Sequence, residues 1–204
     1  MHCELCTVHT SQSDRRFAAA YTPPMAAPLI LSSSLSSGSR SRVLAAAAAS
    51  TLREHGHEPE VVDLGQLELP LCDGGAAYGA PAVAPLAEAV QSADGILCAT
   101  PIYNYDVNAA LKNAIELTGR AWTGQVVGFL AAAGGSGSYM SLMGLANSLM
   151  LDFRCLIVPR FVYATAEHFQ GDQVGDADIA ERIDQLALSV VRLSGAWKTA
   201  RSAS

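Results

Sequence analysis

The stretch that decides the fold is LILSSSLSSGSRSR, residues 29–42. It begins as a short apolar strand and changes at once to serines, one glycine and two arginines. Alanine and leucine, which are strong helix formers, dominate residues 43–52, so a helix is predicted to start near Ser39 or Arg40. A strand, a hydroxyl-rich loop and a helix N-terminus can bind phosphate, because the first N–H groups of the helix are free and its dipole is positive there. The alternative is a polar turn in which Ser39 caps the helix and nothing binds.

Length and composition limit the class of protein. A chain of 204 residues is long enough for one domain with a substantial core. Half of the residues are hydrophobic and 16% are charged, but no apolar run is long enough for a membrane-spanning helix. The net charge of −6 and the lack of a basic stripe argue against nucleic acid as a partner. The five scattered cysteines do not form a disulfide framework, which favours the cytoplasm.

The two ends of the chain are predicted to lie outside the folded domain. Residues 1–27 show no periodicity and are predicted to be a disordered extension, which leaves an organelle transit peptide open. Cys3 and Cys6 form a CxxC pair in this segment, but no second pair completes a four-ligand metal site. No metal is therefore expected. The domain is predicted over residues 28–197, with a second disordered tail over 198–204.

Apolar strands alternate with helical segments along the domain. Strands are predicted at 29–31, 60–64, 96–99, 125–133 and 155–158, and helices at 40–52, 85–92, 107–117, 139–151 and 176–193. Apolar strands that alternate with helices indicate a parallel sheet covered on both faces. The predicted fold is an α/β flavodoxin-like three-layer sandwich with a five-stranded parallel sheet in the order 2-1-3-4-5. A ligand then binds beyond the carboxyl ends of the strands, between strands one and three.

Three unusual loops follow predicted strands one, three and four, so all three should lie at one edge of the sheet. The first loop is the serine-rich stretch, which offers hydroxyl and N–H groups to a phosphate. The second, TPIYN (100–104), offers aromatic faces and main-chain polar groups, or is simply a tight turn with surface tyrosines. The third, GGSGS (134–138), lets the main chain approach a flat ring because glycine has no Cβ, or is simply flexible. Together the loops indicate a mononucleotide site.

The same three segments resemble the NADPH-dependent FMN reductase family, flavodoxin-like enzymes that include quinone, azo-dye and chromate reductases. The matching positions are Ser34, Leu35, Ser39 and Ser41 in the phosphate loop, Thr100, Pro101, Tyr103 and Asn104 in the flavin loop, Leu111 to Ile115 in the next helix, and Gly134 and Gly135 in the third loop. The departures are Ser33 for glycine, Ser36 for arginine, Ile102 for glutamate, and the run 106–108 for a small, glycine-containing one. Arg40 and Arg42 are both candidates for the missing cation.

The resemblance implies an FMN-dependent enzyme that passes hydride from NADPH or NADH through FMN to a small acceptor, such as a quinone, free flavin, azo dye or metal oxyanion. No catalytic side chain is expected, because the flavin carries the chemistry. The implied FMN-binding residues are Ser32, Ser34, Ser36, Ser39, Arg40, Ser41, Pro101, Ile102, Tyr103, Asn104, Tyr105, Gly134, Gly135, Ser136 and Gly137. The implied acceptor pocket is bounded by Tyr105, Asp106 and Tyr139. A homodimer or homotetramer is also implied, with the apolar segment 142–151 as candidate interface.

Two other functions compete with this interpretation. The first is a non-enzymatic flavodoxin-like electron carrier or redox-responsive binding module, although a carrier usually has a strongly acidic docking face. The second is a serine hydrolase in which Ser136, Asp152 and His168 follow in chain order, although GGSGS lacks the G-x-S-x-G register.

Lys112 also has two interpretations. It is predicted to point inward and pair with Asp73 or Glu116 as a structural contact, in preference to a catalytic role.

Overall fold

Strands and helices alternate through residues 25–202, the part of the chain that the computed structural model describes. The predictions for residues 1–24, including the CxxC pair, and for 203–204 lie outside the described residues. The strands are β1 (Leu29–Ser32), β2 (Glu60–Asp63), β3 (Ile96–Tyr103), β4 (Asp106–Val107), β5 (Val126–Ala132), β6 (Leu156–Ile157), β7 (Val162–Ala164), β8 (Phe169–Gln170) and β9 (Gln173–Val174). The α-helices are α1 (Arg40–Glu54), α2 (Val83–Ser92), α3 (Ala109–Thr118), α4 (Met143–Phe153) and α5 (Ala177–Ser202).

The main sheet has the strand order that the sequence predicts. Its path is β2-β1-β3-β5-β6, and the strands along this path pair in parallel. The sheet contains seven strands rather than five, because β4 pairs antiparallel with β3 and because a further short strand, β7, follows the predicted strand at 155–158. The strands β6 and β7 pair with opposite ends of β5. Between them lie Pro159, which has no N–H, and Arg160, whose φ is +63°, so the ladder is interrupted there.

Helices cover both faces of the sheet, which confirms the three layers. Helices α1 and α5 pack on one face, and α2, α3 and α4 pack on the other. Helix α5 comes close to the sheet at Gly128 of β5, where an added Cβ would lie 2.8 Å from Val190 Cγ2 and 3.1 Å from Leu186 Cδ1. Within residues 25–202, no helix is long and apolar enough to cross a membrane.

Element boundaries differ from the predictions at three places. Strand β3 continues to Tyr103 because residues 103–106 form a two-residue hairpin turn, in which Asn104 and Tyr105 have φ values of +50° and +65°. Residues 136–142 form 3₁₀ turns before α4, so the third loop is partly helical rather than simply flexible. Helix α5 continues to Ser202, so the prediction of a disordered tail is wrong for residues 198–202.

Candidate functional site

The first two loops are joined by one buried side chain. Asn108 lies just before α3, where its Nδ2 donates to the main-chain oxygen of Ser33 at 2.7 Å. Its Oδ1 accepts from the Ser33 hydroxyl at 2.8 Å and from the Thr100 hydroxyl at 3.2 Å. The β3–β4 hairpin is therefore attached directly to the loop that follows β1. The hairpin also packs, through β4, against the segment 136–142 of the third loop, so the three loops form one continuous rim at the carboxyl edge of the sheet.

The loop after β1 exposes several main-chain donors. Ser39 caps α1 by accepting from the Ser41 N–H at 3.3 Å, so the helix begins where the sequence predicts, and the Ser34 hydroxyl accepts from the Ser36 N–H at 3.2 Å. The N–H groups of Leu35, Ser37 and Gly38 have no partner within residues 25–202. Free donors in front of a helix N-terminus provide the hydrogen bonds and the positive end of the dipole that an anion requires.

The two candidate cations of this loop differ in their contacts. Arg42 Nη2 donates to the Ser34 main-chain oxygen and to Asp63 Oδ1, both at 2.9 Å. Arg42 therefore braces the loop against the end of β2, and its charge is already neutralised. Arg40 is exposed and its Cζ lies 5.9 Å from the centre of the Phe169 ring. Of the two, only Arg40 keeps its charge available to a ligand.

In the second loop, the hairpin turn is exposed to solvent and the end of β3 is partly buried. Tyr103 and Tyr105 are each 55% exposed, whereas the Ile102 side chain is 8% exposed and belongs to the core. Only the main chain of Ile102 is therefore available to a ligand. The N–H groups of Asn104 and Tyr105 have no partner in the described chain, so this turn offers donors beside two aromatic rings.

The third loop leaves open space above its main chain. A Cβ added to Gly134, Gly135 or Gly137 would meet no atom within 4 Å. The Tyr163 hydroxyl donates to the Gly135 main-chain oxygen at 2.5 Å and holds the loop to β7. Tyr139 packs on Phe161 and Tyr163, with ring centroids 5.1 and 5.5 Å away. A flat ligand can therefore lie against this loop without displacing a side chain.

Titratable groups with shifted pKa values lie away from these three loops in the described chain. Burial raises the pKa of Cys98, and it raises that of Cys155 to about 11. Burial, followed by the charge of His55, lowers the pKa of His57. Asp73 has a lowered pKa because it accepts hydrogen bonds from the main-chain N–H groups of residues 77 and 75. None of these groups is placed to exchange a proton with a ligand held by the three loops.

The hydrolase interpretation is not supported by the positions of its residues. Asp152 lines a cavity of about 760 Å³ beside α3 and α4, whereas His168 lines a groove of about 580 Å³ beside α5. His168 Nδ1 instead accepts from the Thr165 N–H at 2.9 Å. Ser136 makes no hydrogen bond to either residue in the described part of the chain.

The prediction for Lys112 is half correct. Its Nζ pairs with Glu116 Oε1 at 2.6 Å, but both side chains are about half exposed, so the pair lies on the surface rather than inward. An exposed pair of this kind contributes only a few tenths of a kcal/mol.

Three contributors to the site were absent from the sequence-based set: Asn108, Tyr163 and Phe169. Asn108 is the only one with a signal in the sequence, because an asparagine directly before a helix is a frequent N-cap. Its side chain does not cap α3, however, and bonds across the sheet edge instead. Tyr163 and Phe169 act on residues 28 and 129 positions away, so no local pattern identifies them.

Comparisons with known protein sequences identify the family. A family model described as NADPH-dependent FMN reductase matches residues 28–170. An NAD(P)H-dependent FAD/FMN reductase of Geobacillus thermodenitrificans is 29% identical over 144 residues, which cover 69% of this chain and 77% of the relative. An NADH-dependent FMN reductase of Pseudomonas putida is 29% identical, with 84% and 94% covered. An NADPH:quinone oxidoreductase of Arabidopsis thaliana is 32% identical over 56% of this chain, and the chain spans 65% of that relative.

Solved structures share the fold. The flavoenzyme NAD(P)H:(acceptor) oxidoreductase FerB from Paracoccus denitrificans superposes with a TM-score of 0.69 at 21% identity, covering 83% of this chain and 97% of that one. A flavodoxin from the domain Archaea superposes with a TM-score of 0.58 at 11% identity, covering 82% and 97%. The flavodoxin-like fold class that the sequence predicts is thereby confirmed.

Proposed function

This chain belongs to the NADPH-dependent FMN reductase family, and we propose that its three loops bind FMN for the oxidation of NAD(P)H and the reduction of a small acceptor. FMN and a nicotinamide nucleotide are the cofactors that the family model and the relatives indicate. The observation that carries the proposal is the continuous rim formed by the loops after β1, β3 and β5.

The described residues fit FMN at both of its ends. Unpaired N–H groups at Leu35, Ser37 and Gly38, in front of α1, suit a phosphate. Open space above Gly134, Gly135 and Gly137 suits a flat ring. The Ser32 hydroxyl adds support, because it is 2% exposed and has no hydrogen-bond partner within residues 25–202. A buried polar atom without a partner in the protein is expected to meet one in a ligand or a water.

In this proposal the residues of the site bind the cofactor and hold it in position. Asn108 fixes the distance between the phosphate side and the hairpin side of the rim, because it bonds to Ser33 and Thr100 together. The free N–H groups of Asn104 and Tyr105 would donate to the polar edge of the ring and stabilise negative charge there. When bound, FMN supplies the redox chemistry, accepting a hydride and passing electrons on to the acceptor. No side chain acts as a general acid or base in this scheme.

The acceptor is proposed to bind beside Tyr105, Asp106 and Tyr139. Tyr105 and Tyr139 are both exposed, on the hairpin and on the third loop, and these two elements are in contact. Quinones and azo dyes are the acceptors named for relatives, a plant NADPH:quinone oxidoreductase and a bacterial NADPH azoreductase. We therefore expect a flat, aromatic acceptor such as a quinone, with azo dyes, free flavin and metal oxyanions as alternatives.

The assembly is proposed to be a homodimer or homotetramer in the cytoplasm. Met140, Met143 and Leu151 leave apolar surface exposed on the segment 136–153, and Leu151 is 75% exposed. Exposed apolar residues in one segment are typical of an interface. The free thiols of Cys72, Cys98 and Cys155 are those expected in a reducing compartment.

Anaerobic mixing tests the function directly. The purified protein is loaded with FMN and mixed with NADPH or NADH, and the visible flavin absorbance is followed. We expect the visible absorbance of oxidised flavin to decrease after mixing with the nucleotide. It should return when a quinone is added. Flavin that stays oxidised with both nucleotides but is bleached by dithionite would favour the electron-carrier interpretation. A protein that retains no FMN after gel filtration would contradict the proposal.

A further inference from the structure

A groove of about 580 Å³ lies beside β7 and α5 and adjoins the third loop. Tyr163 connects the two places, because its hydroxyl donates to the Gly135 main-chain oxygen while the residue also lines the groove. Tyr139 belongs to the third loop, is 44% exposed, and lines the groove as well. The volume lies in the range of small-molecule sites, about 300–1,000 Å³. A ligand on the third loop can therefore extend into this groove.

Two arginines line the groove without a counterion. Arg160 lies between β6 and β7, and Arg182 lies on α5. Both are exposed, and neither side chain forms a hydrogen bond or an ion pair within residues 25–202. They also line one small cavity of about 90 Å³ together, so the two side chains lie close to each other. Two neighbouring charges of the same sign repel each other until an anion binds between them.

The main chain at Arg160 gives no reason for an arginine. Its φ is +63°, in the left-handed region that glycine and asparagine adopt with less strain than a long side chain. Residues held in this region concentrate at ligand sites. The side chain of Arg160 is therefore better explained by what it binds than by the turn that it occupies.

Three carboxylates share the groove, but each is accounted for by α5. Asp176 Oδ1 accepts from the Ile179 N–H at 2.9 Å, and Glu181 Oε1 accepts from Gln185 Nε2 at 2.9 Å. Asp178 lies in the first turn of α5, where the helix dipole stabilises an acid. In nucleotide sites a free carboxylate favours the hydroxyl at the ribose 2′ position, whereas a free arginine favours a phosphate there. Here it is the arginines that are free.

We propose that this groove holds the adenosine half of NADPH, and that Arg160 and Arg182 recognise its 2′-phosphate, so that the protein prefers NADPH to NADH. The inference rests on the proposed function and adds a second part of the nucleotide site, separate from the loops that bind FMN. Both arginines are binding residues and not catalytic ones, because the hydride leaves the nicotinamide at the other end of the nucleotide. The groove thus selects the hydride donor without touching the reacting atoms.

The binding test uses two ligands that differ only in the 2′-phosphate. Adenosine 2′,5′-bisphosphate and AMP are titrated by calorimetry into wild type, Arg160→Gln, Arg182→Gln and the double variant. Excess FMN is present, so that neither ligand can bind at the serine-rich loop. We expect the wild type to bind the bisphosphate about tenfold more tightly than AMP, each single variant to lose about threefold for the bisphosphate alone, and the double variant to lose the preference. Arg192→Gln, exposed farther along α5 and outside the groove, is the matched control.

Steady-state kinetics provides the second readout. The double variant should raise the KM for NADPH by about tenfold and leave kcat and the KM for NADH unchanged, because hydride transfer takes place elsewhere. Equal binding of the two ligands by the wild type, or an equal loss of both in the double variant, overturns the inference, while flavin reduction by either nucleotide still supports the proposed function. If neither nucleotide reduces the flavin, the proposed function fails, and the calorimetric titration still decides whether the groove binds the 2′-phosphate.

Discussion

Ser33 and Asn108 are 75 residues apart in the chain, yet two hydrogen bonds join them, one in each direction. The Ser33 hydroxyl donates to Asn108 Oδ1, and Asn108 Nδ2 donates to the Ser33 main-chain oxygen. Both residues are buried. Since Ser33 starts the loop after β1 and Asn108 ends the hairpin after β3, this pair sets the spacing of the two sides of the site.

Asn108→Ala should loosen the site without removing any group that touches the flavin. The variant removes three hydrogen bonds and leaves the Ser33 main-chain oxygen without a partner, although the Ser33 and Thr100 hydroxyls keep their bonds to main-chain oxygens. We expect the free energy of unfolding to fall by about 2–3 kcal/mol. Affinity should fall equally for FMN and riboflavin, because Asn108 affects the spacing of the loops and not the phosphate. Urea denaturation and flavin titration measure the two effects. Asn147→Ala, on the exposed surface of α4, is the control, and a loss confined to FMN would contradict this role.

Gly135→Val should obstruct binding of the flavin ring without affecting the fold. The φ of Gly135 is −165°, which any residue adopts, and its added Cβ meets no atom within 4 Å. We therefore expect an unchanged or slightly higher melting temperature for the flavin-free protein, because the unfolded chain loses freedom. FMN affinity should fall by about tenfold or more, through overpacking against the ring. Gly79→Ala, in another open position, is the control, and unchanged FMN binding in Gly135→Val would place the ring elsewhere.

Stability should fall at mildly acidic pH because of His57. Its imidazole is buried, its Nδ1 has no partner within residues 25–202, and burial lowers its pKa. The unfolded state therefore takes up a proton first, so stability is complete above the unfolded pKa of about 6.5 and decreases as pH falls from there toward the folded pKa. Chemical denaturation of wild type and His57→Gln over this range measures the effect. As the pH falls, the free energy of unfolding should decrease more for the wild type than for His57→Gln. If both proteins show the same dependence on pH, His57 is not the cause.

Gly128→Ala should destabilise the fold by forcing α5 away from β5. The new methyl group would lie 2.8 Å from Val190 Cγ2, and neither the strand nor the helix can move without disturbing the core. We expect a loss of about 1–3 kcal/mol in the free energy of unfolding. Val190→Ala removes the clashing group, so the double variant should lose less than the sum of the two single variants. Strictly additive losses would argue against this contact.

Local chemistry made the start of α1 and the order of the sheet predictable. Ser39 and the alanine-rich residues after it identify the start of α1, and apolar strands alternating with helices identify the sheet order. The hairpin after β3 was missed because its turn is Asn104-Tyr105, whereas the usual sequence signal for such a turn contains glycine. The Ser33–Asn108 pair was missed for a different reason. Two residues so far apart are brought together only by the finished sheet, and neither carries a pattern that names its partner.

The two short strands β6 and β7, which share the outer position beside β5, affect how this chain behaves in concentrated solution. A continuous outer strand would present an unbroken row of N–H and C=O groups to which another polypeptide could add. Here Pro159 and the left-handed Arg160 divide that border into two short pieces, β6 and β7. The opposite border, β2, begins with the exposed Glu60, so charge discourages association there. Both margins of the sheet are thus protected against fibril-like growth, even while newly made chains wait for their cofactor.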